Sequence, residues 1–386
     1  MLEITIMARS AAPKYDPIQA FESWVSSLSS PNNFFGILPM LKKFDDHIQL
    51  RESIIYHKGD FSSVIERISR IAKIEVNNYN SSPWLFSARI IGEDSAKENE
   101  GLLAFIPGKY PNMYRVITVS HSLFWTDVVR KLVKRSYPEA MRVFFKQNEI
   151  HDALKILENN TENNLRVHIL DGTLKAKRDT VQNRGRSQFN TDRVWRDQSV
   201  DEMFEEALEK NQWFTSLTFA IQRKIGKESQ NYFTIAKGKI SKFGEVYCDS
   251  YFEEIEEYII TTLEGYASER LELYQMRGIR ERDYKPSPPL EIKYNIDIFD
   301  EVEEIRRFGR TMVKYPESSI AVFHGNPYYH ANIADFADGS SFDIWILSPD
   351  RVLIAPQARS TPQALERITS YIFYQFREGA VKEYAE

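Results

Sequence analysis

Residues 320–355, IAVFHGNPYYHANIADFADGSSFDIWILSPDRVLIA, decide the fold of this chain because they contain four short strands in succession. Branched and aromatic residues are concentrated in four runs, 320–323, 328–336, 342–347 and 352–355. Asp338-Gly339 and Pro349-Asp350 are typical turn pairs between neighbouring runs. Strands joined by such short turns pair in an antiparallel order. The stretch therefore predicts a four-stranded meander.

A helix is expected on each side of this meander. Before it, apolar residues recur with helical spacing at Phe299, Val302, Ile305, Phe308 and Met312. After it, Thr361-Pro362 starts a second helix with proline at the first helical position. One face of that helix carries Leu365, Ile368, Ile372 and Phe376. An antiparallel sheet with helices packed on it is α+β layering.

The same order of helix, strands and helix occurs twice more, over 60–136 and 199–275. The strands expected in these two stretches are 84–91, 102–106, 114–120, 213–222, 232–240 and 244–248. The fold class is therefore predicted to be α+β, with two or three units of small antiparallel sheets flanked by helices.

Two polar stretches suggest where the units join. Residues 171–198 are basic and poor in apolar positions, and residues 276–298 contain Pro286, Pro288 and Pro289. We expect the following division: an N-terminal α+β domain over 1–170, a basic linker over 171–198, a middle α+β unit over 199–290, and a C-terminal α+β unit over 291–386 that holds the meander between its two helices.

Bulk composition excludes several classes of protein. The 386 residues carry a net charge of −5, which opposes a surface that coats nucleic acid or anionic membrane everywhere. The single cysteine, Cys248, excludes an intramolecular disulfide and a multi-thiolate zinc site. The uncharged run over 23–41 contains five serines, two prolines and two asparagines, so it is too polar to span a bilayer. Met1 to Tyr15 lacks the apolar run of a signal peptide. We therefore expect no membrane association and a cytoplasmic location.

The strongest functional signal is the basic stretch over 175–197, where seven basic residues stand against three acidic ones. Arginines can bind phosphates and interleaved aromatic rings can stack on bases, so the pattern favours contact with a nucleic acid backbone. A solvated loop, pairing with the acidic helix over 249–272, and binding of an acidic protein remain alternatives. The candidate residues are Lys175, Lys177, Arg178, Arg184, Arg186, Phe189, Arg193, Trp195 and Arg196.

A second basic cluster lies on the helix that begins near His121. Its members are Arg130, Lys131, Lys134 and Arg135. They could extend one positive track with the 175–196 segment. Cations in the last turn of a helix also complement its dipole without any ligand.

Two further constellations could support catalysis by a bound metal ion. The hairpin around His324 and His330 places both imidazoles on one face with a three-residue loop, and on opposite faces with a four-residue loop. Glu291 and Lys293 form a Glu-x-Lys pair that is typical of one half of a metal-dependent nuclease site. An ordinary hairpin and an exposed edge strand are the alternatives.

The common catalytic motifs are missing from the sequence. There is no P-loop, no Gly-x-Gly-x-x-Gly, no His-Glu-x-x-His and no Gly-x-Ser-x-Gly. Asp249 beside Cys248 favours a protonated, inert thiol. We therefore expect a non-enzymatic binding or scaffold protein that contacts nucleic acid backbone, works with a protein partner and needs no cofactor. The alternative is a metal-dependent nuclease or phosphodiesterase built on Glu291 and Lys293 or on the histidine hairpin.

Overall fold

The computed structural model confirms the α+β class, with two antiparallel sheets flanked by helices. The structure describes residues 38, 42, 49–59, 64–65, 74–78, 84–90, 100–120, 122–159, 165–176, 190–209, 212–225, 231–277, 288–325, 328–357 and 359–384. Side chains are not described at 176 and 190–197. The first helix expected in the stretch 60–136, with apolar residues from Phe61 to Ala72, and the uncharged run over 23–41 lie outside these residues, apart from Leu38, Val64 and Ile65.

Within the described residues, the larger sheet contains eleven strands in the order β2-β3-β4-β5-β1-β11-β10-β9-β7-β8, with β6 paired to β1 off this path. The strands are β1 (Leu50–His57), β2 (Ile74–Asn78), β3 (Leu85–Ile90), β4 (Glu100–Pro107), β5 (Met113–Thr118), β6 (Ala140–Arg142), β7 (Leu165–Ala176), β8 (Asn190–Ser199), β9 (Gln212–Lys224), β10 (Tyr232–Ser241) and β11 (Glu245–Cys248).

The second sheet contains six strands in the order β13-β14-β15-β16-β12-β17. The strands are β12 (Leu290–Lys293), β13 (Ser318–His324), β14 (Tyr329–Asp335), β15 (Ser341–Ser348), β16 (Arg351–Pro356) and β17 (Ala380–Glu383). The meander predicted from residues 320–355 is therefore confirmed as β13 to β16. The strand carrying Glu291 is not at an edge, because β12 lies between β16 and β17.

Six helices of more than one turn cover the sheets within the described residues. They are α1 (Ser122–Phe124, a π turn over Trp125–Val129, and Arg130–Arg135), α2 (Gln147–Glu158), α3 (Val200–Glu209), α4 (Phe252–Glu254, a π turn over Ile255–Ile260, and Thr261–Gln275), α5 (Val302–Met312) and α6 (Pro362–Gln375). None of the helices in these stretches combines the length and the apolarity needed to cross a bilayer.

Apolar residues on both faces of the larger sheet produce two cores. Along β1, Leu50 and Ile54 point to one side and Ile55 to the other, since alternate residues of a strand face opposite ways. The Ile55 side packs against α1. The Ile54 side belongs to a larger core that continues into the second sheet and includes Ile368 of α6. The C-terminal sheet is thus joined to the larger sheet by buried apolar surface.

Strands occupy the described part of the stretch over 171–198 that was expected to be a linker. Residues 171–176 belong to β7 and residues 190–198 belong to β8, and β7 pairs with both β8 and β9. The strand β1 also pairs with β11, so the first two predicted groups of strands form one sheet. The polar composition favoured a linker. Strand pairing joins residues that are distant along the chain, so composition does not predict it. The division of the chain into domains otherwise stays a prediction.

A buried arginine connects the helices of the two sheets. Arg270 of α4 donates through Nη1 to Glu149 of α2 (2.9 Å) and through Nε to Glu366 of α6 (3.1 Å). Its Nη2 donates to the carbonyl oxygen of Phe144. Burial alone would lower the pKa of Arg270, but the two carboxylates raise it above its usual value. All three side chains are almost fully buried, so each charge depends on the others.

We predict that Arg270→Ala destabilises the protein by about 3–5 kcal/mol, because it leaves Glu149 and Glu366 as buried carboxylates without their cation. The free energy of unfolding from chemical denaturation measures the effect. Arg310→Ala removes an arginine from an exposed ion pair with Glu303 and is the matched control, with little expected change. Equal stability of the two variants would contradict the central role of Arg270.

Candidate functional site

The second predicted basic cluster lies on α1, and the spacing of the apolar residues explains its orientation. Phe124, Val128 and Leu132 are buried against the larger sheet. This packing turns Lys131, Lys134 and Arg135 away from that core. The π turn over Trp125–Val129 lies in the middle of the helix, and such turns are frequent near functional sites.

Those three cations border a cleft between α1 and the C-terminal sheet. The cleft has a volume of about 700 Å³ and is lined by Lys131, Lys134, Arg135, Tyr137, Glu317, Phe336 and Ala337. Three of these residues are basic and one is acidic. Phe336 is 66% exposed and offers an aromatic face. Lys131 also pairs with Asp127 of the same helix at 3.1 Å. The cleft therefore combines basic side chains with a surface on which a flat ring could stack.

The far wall of the cleft is held by a polar network in the C-terminal unit. Arg367 donates to Asp335 at 2.6 Å, and the Tyr315 hydroxyl donates to the same carboxylate at 2.7 Å. The Arg367 guanidinium also lies 5.1 Å from the centre of the Tyr137 ring and 3.1 Å from Glu317. Because Arg367 pairs with Glu317, the one acidic side chain among the described lining residues is partly neutralised.

The phenol of Tyr137, which follows α1 in the chain, is kept protonated. Burial raises its pKa, and the nearby carboxylates of Asp338 and Asp335 raise it further. A neutral hydroxyl group next to the three cations adds no negative charge to the cleft.

Arg130, the fourth member of the cluster, points elsewhere. It donates through Nε and Nη2 to the two carboxylate oxygens of Glu245, at 2.9 and 2.5 Å. Arg142 reaches the same carboxylate at 3.2 Å. Arg130 thus ties α1 to β11, and it does not line the cleft.

The residues of the first predicted basic segment are only partly described. Lys175 is 6% exposed, and its ammonium nitrogen lies 3.3 Å from the centre of the Tyr374 ring. Burial lowers the pKa of Lys175 to about 8, with Lys242 adding repulsion. This side chain therefore faces the protein interior. Lys177, Arg178, Arg184, Arg186 and Phe189 lie outside the described residues, and for Arg193, Trp195 and Arg196 only the backbone is described, in β8.

The histidine hairpin has the register that pairs His324 with His330. The His330 ring lies between Phe323 and Trp345, with ring-centre distances of 4.8 and 3.4 Å. Its Nε2 atom is 3.9 Å from Asp343, whose carboxylate accepts hydrogen bonds from Asn332 and Gln357. Stacking holds His330 on the sheet face, while its buried Nε2 atom has no hydrogen-bond partner among the described residues.

The Glu-x-Lys pair is engaged in ion pairs along the sheet. Glu291 accepts a hydrogen bond from Arg351 at 3.1 Å, and Lys293 lies 3.9 Å from Asp350. In the described part of the chain, no three His, Cys, Asp or Glu side chains are placed to hold a metal ion. The nuclease alternative stays a prediction without a metal centre among these residues.

The acidic helix expected over 249–272 is only partly a solvated face. Glu253, Glu257, Glu269 and Glu272 are exposed. Glu264 is buried and accepts two hydrogen bonds from Arg115 of β5, at 2.7 and 3.1 Å. Glu256, in the π turn of α4, pairs with the same arginine.

A third carboxylate, Glu52 of β1, lies next to this group and is fully buried. Neither of its carboxylate oxygens has a hydrogen-bond partner among the described residues. Burial raises the pKa of Glu52 to about 8, with Glu256 and Glu264 opposing ionisation and Arg115 favouring it. Cys248 is buried in the same neighbourhood, and burial raises the pKa of its thiol well above the usual value, as the sequence predicted.

We predict that Glu52 makes the protein less stable as the pH rises from about 4.5 to about 8. In this interval the unfolded chain releases the proton that the folded chain keeps, so a raised folded-state pKa favours folding only at low pH. Glu52→Gln removes the titration. Its stability relative to the original protein should therefore rise by roughly 4 kcal/mol across the interval.

Denaturation midpoints measured at several pH values check this expectation. The matched control is Glu253→Gln on the exposed side of α4. The difference in unfolding free energy between this variant and the original protein should not change with pH. A level difference for Glu52→Gln as well would show that Glu52 ionises normally in the folded protein.

Four cleft residues were missed by reasoning from the sequence, namely Tyr137, Glu317, Phe336 and Ala337. They come from segments almost 200 residues apart. No local sequence pattern predicts that these segments lie close together. No family model and no curated protein matches this chain.

Proposed function

We propose that the protein is a non-enzymatic binding or scaffold subunit that holds the backbone of a nucleic acid in the cleft beside α1. The observation that carries the proposal is the convergence of Lys131, Lys134 and Arg135 on one cleft with the exposed ring of Phe336. Cations that follow a phosphate backbone and aromatic rings that stack on bases are the two components of single-strand binding sites.

The charge of the whole chain is compatible with such a local site. Binding to phosphates depends on the potential near the contact, and a net charge of −5 disfavours coating without preventing a basic cleft. A base can stack on Phe336 only when it is not paired with a base of a second strand. We therefore favour single-stranded over duplex nucleic acid as the ligand.

The scaffold part of the proposal draws on the exposed acids of α4, which offer a basic protein partner a surface separate from the cleft. A cytoplasmic location is part of the same proposal, because one buried thiol is typical of proteins kept in a reducing compartment. Purification from the native host at low and high salt, followed by identification of the companion chains, tests both points. A companion chain released by salt and extracted from the cytoplasmic fraction is the expected result.

We predict that the protein binds labelled single-stranded oligonucleotides and that Lys134→Ala combined with Arg135→Ala weakens this binding. Each lost phosphate contact should lower the slope of log affinity against log salt by about 0.7. Phe336→Ala should weaken binding by about 1–3 kcal/mol without changing that slope, since stacking does not release counterions. Fluorescence anisotropy over a salt series measures both quantities.

The matched control removes two exposed arginines of α5 that do not line the cleft, as Arg306→Ala combined with Arg310→Ala. It loses the same charge as the double cleft variant and should keep the original slope. A further variant with alanine at Arg184, Arg186, Arg193 and Arg196 tests the first basic segment. Absence of binding to DNA and RNA at low salt, or equal binding by the two double variants, would refute the cleft as the site.

A further inference from the structure

The strands at the ends of the two sheet orders differ in how they are protected from further pairing. In the larger sheet, β2 carries Glu75 and β8 carries four charged residues. In the second sheet, β17 is four residues long and carries Lys382 and Glu383. Short length and charged side chains are the usual devices that keep an edge strand from pairing with another chain.

The remaining end strand, β13, has neither device, and its only irregularity among the described residues is a register shift between Val322 and His324. Its seven residues, SSIAVFH, contain no Asp, Glu, Lys, Arg or Pro. Val322 is 47% exposed and Phe323 is 58% exposed. Among the described residues no strand pairs with its outer side, so its outward N–H and C=O groups are left to solvent. An exposed, uncharged and apolar edge of this length is a template for adding a strand.

We propose that two copies of this chain associate through β13, with the two strands paired antiparallel across a two-fold axis so that the second sheet continues from one copy into the other. A two-fold interface brings the same patch of each copy together, so a residue near the axis lies close to its own equivalent. A charged residue near the axis would repel its equivalent in the second copy. The uncharged sequence of β13 meets this condition, whereas β2, β8 and β17 do not.

The residues that flank the strand also suit a second copy. Antiparallel pairing brings the start of β13 in one chain to the end of β13 in the other. Glu317, which precedes β13, would then lie near the position of His324 in the second copy. A carboxylate beside an imidazole is favourable, and two copies give this contact twice. The proposed dimer does not require nucleic acid, although Glu317 also belongs to the cleft lining.

Analytical ultracentrifugation of the full chain without nucleic acid tests the proposal. The original protein should sediment as a dimer that dissociates on dilution. Val322→Lys places like charges near the axis, because diagonal neighbours in an antiparallel pair are within reach of long side chains. It should raise the dimer dissociation constant about tenfold or more. Leu208→Lys is the matched control on a 77% exposed residue of α3 and should leave the dimer unchanged.

An exchange of charges distinguishes a specific effect on this interface from a dimer that is lost because the variant does not fold. Val322→Glu alone should also weaken the dimer, and an equal mixture of the Val322→Lys and Val322→Glu proteins should restore it, since opposite charges then meet near the axis. Circular dichroism should show the same thermal unfolding for each variant and the original chain. A monomer at all concentrations, or a dimer that neither substitution affects, would overturn the proposal.

Discussion

The pairing of Arg270 with Glu149 and Glu366 is the constraint on which the arrangement of the two sheets depends. Apolar contacts hold α2, α4 and α6 together, but apolar packing tolerates small sliding. Charges removed from water do not, since each must keep its partner within hydrogen-bond distance. Glu366 also accepts a hydrogen bond from the backbone N–H of Phe144 at 3.2 Å. The C-terminal helix is thereby fixed to the segment that leads from β6 into α2.

A second buried ion pair uses the other part of the same helix. Glu264 of α4 accepts hydrogen bonds from Arg115 and from the backbone N–H of Lys109 at 2.9 Å. A Cβ atom at Gly108 would lie 2.5 Å from Oε1 of Glu264, so a larger residue there would have to displace this carboxylate. The helix α4 is therefore fixed to β5 through Glu264 and to α2 and α6 through Arg270. It sets the distance between the larger sheet and the C-terminal unit.

The cleft beside α1 follows from this arrangement. One wall belongs to the larger sheet through α1, and the other belongs to the C-terminal sheet through Glu317 and Phe336. Arg367 spans the two, because it contacts Tyr137 on one side and Asp335 on the other. The basic residues of α1 therefore fall into two groups with different surroundings: Arg130 is bound to Glu245, and Lys131, Lys134 and Arg135 border the cleft.

Reasoning from the sequence predicted the fold class and part of the local elements, but it missed β1, β7 and α2. Turn pairs such as Asp338-Gly339, the helical spacing of Ile305, Phe308 and Met312, and the Thr361-Pro362 start depend on neighbouring residues, so the meander and its helices were predictable. Only the tertiary structure decided that β1 pairs with β11, that residues 171–176 form a strand, and that Phe336 faces the basic end of α1. It also decided which charges are buried. Glu264 and Glu257 look alike in the acidic run, yet one pairs with Arg115 in the core and the other is solvated. The physical reason is the same in each case: strand pairing, ion pairing and cleft formation join residues that are distant along the chain, and their energies depend on the dielectric and the partners that folding supplies.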